Sequence, residues 1–411
     1  MKNGVDPVKR AIELRKSLVS RIYSAGDVQE RDNSRILVVD YTNTLQREDT
    51  SKVIEPMPNV HTNELVFRTK FNVKELDINA SNKYKKKFFD VSQHSDDEIE
   101  EFVRKQDFDF PLWFKHNNGF SMKSICDYNA PFTFQVAGCN FHDGTPKGGC
   151  LYCFVDSDSN DGNRGNGKTL LSIDDAIDSM MDARQKMKED YAGSGKQLEL
   201  KVLRASGGEP TIVLDWILGL WREIGRRNLD LVGQLDSNLS TGPVVDYFEK
   251  EGIYEQNILE KLAEHPVKVL TALKGDDQKN LESNVQANTR METQLYSLKK
   301  FIKAGFDIYP QLYNPDHLML YSFLARMDSE IENFALKLHI GPLKAYGPNL
   351  ARLRYAAKTL KLNPDEYIRK KQAEWETNYK MSCEVLDAYL NVEHNVGYKE
   401  ITRSDVRLKC K

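Results

Sequence analysis

No stretch of the 411-residue sequence approaches the roughly 18 consecutive apolar residues that a membrane-spanning helix needs. The first residues, MKNGVDPVKRAIELRKSL, are charged throughout and lack the apolar core of a secretory signal, so the expectation is a cytoplasmic protein with no membrane partner. Neither sign of charge dominates: 58 Lys and Arg face 61 Asp and Glu, a net charge of −3. Such a balance gives no global attraction to nucleic acid or an anionic surface. Cysteine is scarce, at six residues: Cys126, Cys139, Cys150, Cys153, Cys383 and Cys410. Six thiols in a large cytosolic chain do not make a disulfide framework, and a close-spaced subset reads instead as a metal or catalytic group. Apart from the strand–helix unit described next there is no internal repeat, and the low-complexity stretch DSDSNDGNRGNGK (156–168) reads as an exposed loop.

What is present is an alternation of short apolar runs and amphipathic stretches from about Phe132 onward. Strands are expected at 132–138, 199–207, 229–238, 267–275, 306–315 and 334–342. Helices are expected at 172–193, 211–227, 254–265, 290–305, 317–330 and 349–361. Ser172 is the expected N-cap of the first helix, with Asp175 three residues on. Trp216 and Trp221 read as core residues. Six successive strand–helix units imply an α/β fold, a (β/α)6 partial TIM-like barrel whose site lies at the C-terminal strand ends. The expected organisation is an N-terminal accessory segment (1–130), a core barrel (131–348) and a C-terminal helical extension (349–411), with one long charged helix over 364–390. Within the first segment, 35–45 and 64–76 look like strands. KYKKKFF (83–89) reads as a solvated edge, or as a weakly supported nucleic-acid contact.

The most informative window is GCNFHDGTPKGGCLYCF (138–154), with the spacing Cys139-x10-Cys150-x2-Cys153. Three thiolates on one loop can hold three corners of a [4Fe–4S] cluster and leave one iron open to another ligand, whereas most such clusters use four cysteines. With His142 the same window also supplies a Cys3His set at zinc-like spacing. On this loop alone both metals remain open.

One unit downstream, VLRASGGEP (202–210) closes a strand with Gly207, Gly208 and Glu209. Glycines allow close backbone approach, and a glutamate accepts from an ammonium group. A three-cysteine loop after the first strand and a GGE motif after the second together resemble the radical S-adenosylmethionine (SAM) superfamily, over residues 130–345. The resemblance implies that Cys139, Cys150 and Cys153 bind a single [4Fe–4S] cluster and that SAM chelates its open iron. Tyr152 would then lie near the adenine, while Gly207, Gly208 and Glu209 hold the SAM amino group. By the same resemblance Asp236 and Asn238 contact ribose or carboxylate, Lys274 is the strand-four basic residue aimed at the carboxylate, and the backbone of 339–348 borders the adenine. It further implies reductive cleavage of SAM, a 5′-deoxyadenosyl radical that abstracts hydrogen from a small-molecule, nucleoside or peptide substrate, and an electron donor such as ferredoxin or flavodoxin.

The first gap departs from the commonest family spacing, Cys-x3-Cys-x2-Cys, by seven extra residues, and His142 within it reads as solvated or loop-stabilising. Gly162–Thr169 matches the phosphate-loop pattern G-x4-G-K-[ST] in letters, but DSDSND precedes it where a hydrophobic strand is required. Two alternatives to the radical SAM reading thus stand: a zinc-stabilised Cys3His binding protein on a βα scaffold, and a P-loop nucleotidase.

Overall fold

The computed structural model describes residues 5–21, 34–40, 68–69, 132–165, 167–191, 201–401, 403 and 406–411. The expected strand–helix alternation builds one parallel sheet whose strand order follows the chain. Its strands are β1 (Phe132–Gln135), β2 (Val202–Ser206), β3 (Val232–Ser237), β4 (Val267–Leu273), β5 (Asp307–Tyr313) and β6 (His339–Gly341). Every neighbouring pair is parallel, while Arg68–Thr69 runs antiparallel to β1 at the outer edge. With helices on its outer face this is a partial (β/α) barrel with accessory extensions, as the alternation predicts.

Side chains alternate along each strand, and the two faces have opposite character. Phe134, Leu203, Ala205, Leu235, Val269, Ile308, Leu312 and Ile340 are buried in the main apolar core. Phe134 meets Trp216 edge-on at 5.5 Å between ring centroids, and both Trp216 and Trp221 are core residues. Full burial of an aromatic or aliphatic side chain contributes about 1.5–3 kcal/mol, so this helix-facing layer holds the barrel together. Ser172 caps the helix Ile173–Tyr191 as expected: its Oγ accepts the Asp175 amide at 3.0 Å.

Several elements differ from expectation. The loop 156–168 is not wholly exposed, since Ser159 and Asn160 are buried. A strand follows it, Lys168–Ser172, antiparallel to Ser34–Val39, which in turn pairs with Val19–Arg21. The apolar run 334–342 splits into a helical turn, Phe334–Lys337, and the short β6, because buried apolar residues carry no periodicity that separates the two. Gly242–Lys250 and Gln278–Asn284 are additional helices, and the expected helix 254–265 is confined to Ile258–Ala263. KYKKKFF, Cys126 and most of 64–76 lie outside the described residues. No helix among the described residues is long and apolar enough to cross a membrane.

Two extensions pack on the barrel. In the helix Pro7–Leu18, Asp6 caps the amides of Val8 and Lys9, and Ala11, Leu14 and Leu18 are buried. Its Arg15 pairs with Asp215, donates to the Ile212 carbonyl at 2.9 Å, and lies over the rings of Tyr254 and Phe248. At the other end the helix Pro364–Glu393, expected over 364–390, buries Trp375, Leu386 and Leu390 and leaves its charges outside. Beyond it the chain returns to the barrel base, where Lys409–Cys410 pairs with Ile331–Glu332. There the buried Lys337 ammonium donates to Asp307 Oδ1 and to the carbonyls of Arg403 and Val406.

Candidate active site

The inward faces of the strands carry several polar side chains among apolar ones, which is unusual for parallel strands covered on both sides. Pairing register aligns Gln135 with Ser206, Arg204 with Gln234, Asp236 with Leu270, and Ala272 with Gln311. Near the C-terminal strand ends Arg204, Ser206, Asp236, Leu270, Ala272 and Gln311 line a cavity of about 400 Å³. All ten residues singled out from the sequence line it: Cys139, Cys150, Tyr152, Cys153, Gly207, Gly208, Glu209, Asp236, Asn238 and Lys274. Pro342, Leu343, Lys344 and Tyr346, from the turn after β6, complete the rim.

The cysteine loop wraps one side of this cavity. Cys139 lies four residues beyond the end of β1, and its amide donates to the Asn160 carbonyl at 3.1 Å. The Cys153 amide donates to the Cys150 carbonyl at 3.1 Å, so the last two thiols sit on one turn. Two side-chain amides point at sulfur: Asn238 Nδ2 is 3.7 Å from Cys139 Sγ, and Asn160 Nδ2 is 4.0 Å from Cys153 Sγ. Asn160 belongs to the stretch read as exposed, so its place in the wall was missed from sequence. Burial, then repulsion from Cys153 and Cys150, holds the Cys139 thiol far above its ordinary value. Burial pushes Cys150 up to about 11, opposed by Lys274 and Arg352.

The GGE turn after β2 lies against the end of β1. A Cβ on Gly208 would stand 2.1 Å from the Gly138 carbonyl oxygen and 2.5 Å from that of Val136, and the Gly208 φ is +23°. The Glu209 amide then donates to the Gly138 carbonyl at 2.7 Å. The neighbouring backbone, as well as any ligand, therefore requires glycine here. Glu209 is buried: Thr211 Oγ1 donates to Oε1, and the Asn238 amide to Oε2 at 2.7 Å. Burial raises its pKa to about 7, against those hydrogen bonds. A carboxylate keeps further lone pairs for a bound cation.

Asp236 is engaged by the protein itself, accepting from Arg204, from Ser206 Oγ at 2.5 Å and from Gln234 Nε2 at 2.9 Å. Arg204, not singled out from the sequence, is thereby part of the cavity wall. The Lys274 ammonium sits over the rings of Tyr313 and Tyr152, at 5.1 and 5.5 Å from their centroids. These rings stack on each other at 5.7 Å, and the buried Tyr152 hydroxyl has no hydrogen-bond partner among the described residues.

His142 does not face the cysteines. Its Nδ1 accepts the Gly144 amide at 2.9 Å, and its Nε2 lies 3.0 Å from Arg352 Nη2. Burial and the Arg352 charge lower its pKa to about 3, so the ring is neutral and loop-stabilising. Among the described residues no group of three or more His, Cys, Asp or Glu side chains is arranged to hold a metal ion. The Cys3His zinc centre, which needs four donors converging on one ion, is therefore not assembled. The P-loop alternative fails on geometry. Lys168 opens a strand instead of a helix, and its ammonium is bound to Asp161 and, at 3.0 Å, to the Asn163 carbonyl.

No protein-family model matches the chain, and no curated protein matches it. Among solved structures it is similar to the cobalamin-dependent S-adenosylmethionine radical enzyme OxsB with aqua-cobalamin bound. There the identity is 13%, the TM-score is 0.35, and 58% of this chain and 30% of OxsB are covered. It is also similar to TYW1 with a lysine–pyruvate adduct bound, at 13% identity and TM-score 0.32, covering 56% of this chain and 72% of TYW1. A third is histidine-tagged anSMEcpe with bound AdoMet, at 16% identity and TM-score 0.31, covering 54% of this chain and 55% of anSMEcpe. The structural similarity to radical SAM superfamily enzymes is thus weak, and the chain spans about a third of the length of OxsB.

Proposed function

We propose that this chain is a radical SAM enzyme, with residues 131–348 as its catalytic core. The observation that carries the reading is the joint placement of three cysteines from one loop and the GGE turn from the next unit on the wall of one cavity, at the C-terminal strand ends. The three thiols line the same cavity, and two of them receive side-chain N–H groups, a contact that tunes such clusters.

Cys139, Cys150 and Cys153 would hold the cluster, which when bound supplies the electron for reductive cleavage of SAM. Around it the chain positions and shields. Glu209, once ionised, accepts from the SAM ammonium, with Gly207 and Gly208 beside it. Lys274, fixed over two tyrosine rings, offers a cation to the carboxylate. Asn238 bridges both halves, giving its amide N–H to Glu209 and its side chain to Cys139. The Tyr152 ring walls the cavity, with its hydroxyl buried. Asp236 would contact ribose or carboxylate from the cavity wall while anchoring Arg204.

The direct test is anaerobic reconstitution followed by dithionite and SAM. Wild-type protein should release 5′-deoxyadenosine, and Cys139→Ala, Cys150→Ala and Cys153→Ala should each abolish release. Product formation that survives all three substitutions contradicts the proposal.

A further inference from the structure

Arg352, in the helix Gly347–Thr359, is buried to 1% exposure yet forms no ion pair among the described residues. Its Nη1 donates to the carbonyls of Cys153 at 3.2 Å and Pro348 at 3.3 Å. Its Nη2 donates to the Val155 carbonyl at 2.8 Å and faces His142 Nε2 at 3.0 Å. Nε has no partner. Every contact is neutral. Buried charges in proteins are ordinarily paired or bound to metals, since an uncompensated one costs several kcal/mol. A cation held against the backbone of the third cysteine, with no anion beside it among the described residues, is a site built for negative charge from elsewhere.

The geometry points to Arg352 as the counter-charge of the three-cysteine site: it offsets the negative charge that three thiolates and their cluster bring to the cavity wall. This rests on the proposed cluster and goes beyond it, because it assigns a role to a buried cation outside the cysteine loop. The ten residues between Cys139 and Cys150 include His142, which packs on Arg352 across 210 positions of sequence.

A clamp and a counter-charge predict different results. Glutamine at this position can still donate to carbonyls but carries no charge, whereas lysine keeps the charge and loses the fork. Arg352→Gln and Arg352→Lys should be reconstituted anaerobically, and their iron and sulfide content, midpoint potential and gain in Tm on loading compared with wild type. Removing a cation disfavours the added electron, so Arg352→Gln should have a more negative potential. The expected change is at least about tenfold in the one-electron equilibrium, or about 59 mV, with a smaller Tm gain on loading. Arg352→Lys should recover most of both. If Arg352→Gln loads poorly while Arg352→Lys loads well, the charge is again what matters. Wild-type potential in both variants, or equal failure of both to load, makes Arg352 a structural clamp and overturns the inference. Failure of wild-type protein to take up iron and sulfide is a separate result, which refutes the cluster itself.

Discussion

Arg204 and Asp236 stand on neighbouring barrel strands, the guanidinium giving Nε and Nη2 to one carboxylate oxygen at 3.0 and 2.7 Å. Both side chains are about four-fifths buried. The pair should therefore be coupled more strongly than an exposed one. In a double-mutant cycle of Arg204→Ala and Asp236→Ala, followed by denaturant unfolding, the expected coupling is about 0.5–3 kcal/mol. Additivity within error would show that the pair is incidental to the barrel interior.

The turn after β2 provides a test of backbone packing. Gly208→Ala forces a Cβ against two carbonyl oxygens at a positive φ and should cost at least about 1–3 kcal/mol. Gly225, in the helix Leu214–Arg226, has nothing within 4 Å of an added Cβ. Gly225→Ala should be neutral or stabilising by roughly 0.5–1 kcal/mol. Equal effects at the two positions would mean that the GGE turn is not held against β1.

Glu209 gives the fold and the site opposite responses to pH. Its folded pKa is about 7, above the ordinary value of 4.5. Between those values the folded state therefore binds more protons than the unfolded one, and ligand-free protein loses stability as pH rises. The full shift corresponds to on the order of 3 kcal/mol. SAM affinity should change the other way, rising as the carboxylate ionises through pH 7. Glu209→Gln should flatten both profiles and weaken SAM binding by about tenfold to a hundredfold. Unchanged affinity in calorimetry would move the ammonium contact elsewhere.

At the barrel base, Lys337 ties the last residues to Asp307. Lys337→Met leaves Asp307 with Lys268 and Arg407 but frees the carbonyls of Arg403 and Val406. The expected loss is about 1–3 kcal/mol, the cost of leaving buried carbonyls without a donor, with faster tryptic cleavage at Arg403 and Arg407. An unchanged cleavage rate would show that the tail is held by its strand alone.

These tests fall on two kinds of residue, those visible in the sequence and those that only folding brings into play. The six strands and the cavity-lining cysteines and GGE turn were legible because each is local: an apolar run, a spacing, a short motif. The inward polarity was partly legible, since Arg204 and Asp236 alternate with Leu203, Ala205 and Leu235, but their pairing requires the register of two strands. Arg352 gave no local signal, being one cation among several in a charged helix, with its partners at 142, 153 and 155. The strand Lys168–Ser172 was hidden for the same reason. Its partner Ser34–Val39 lies some 130 positions away, and glycines beside it read as loop.

Metal and sulfide analysis of anaerobically purified protein tests the central claim most directly. A three-cysteine cluster in the cavity predicts about four iron and four sulfide per chain, the content of one [4Fe–4S] unit, together with an electron paramagnetic resonance signal that changes when SAM is added. Zinc without sulfide, or iron that is lost in none of Cys139→Ala, Cys150→Ala and Cys153→Ala, would contradict it.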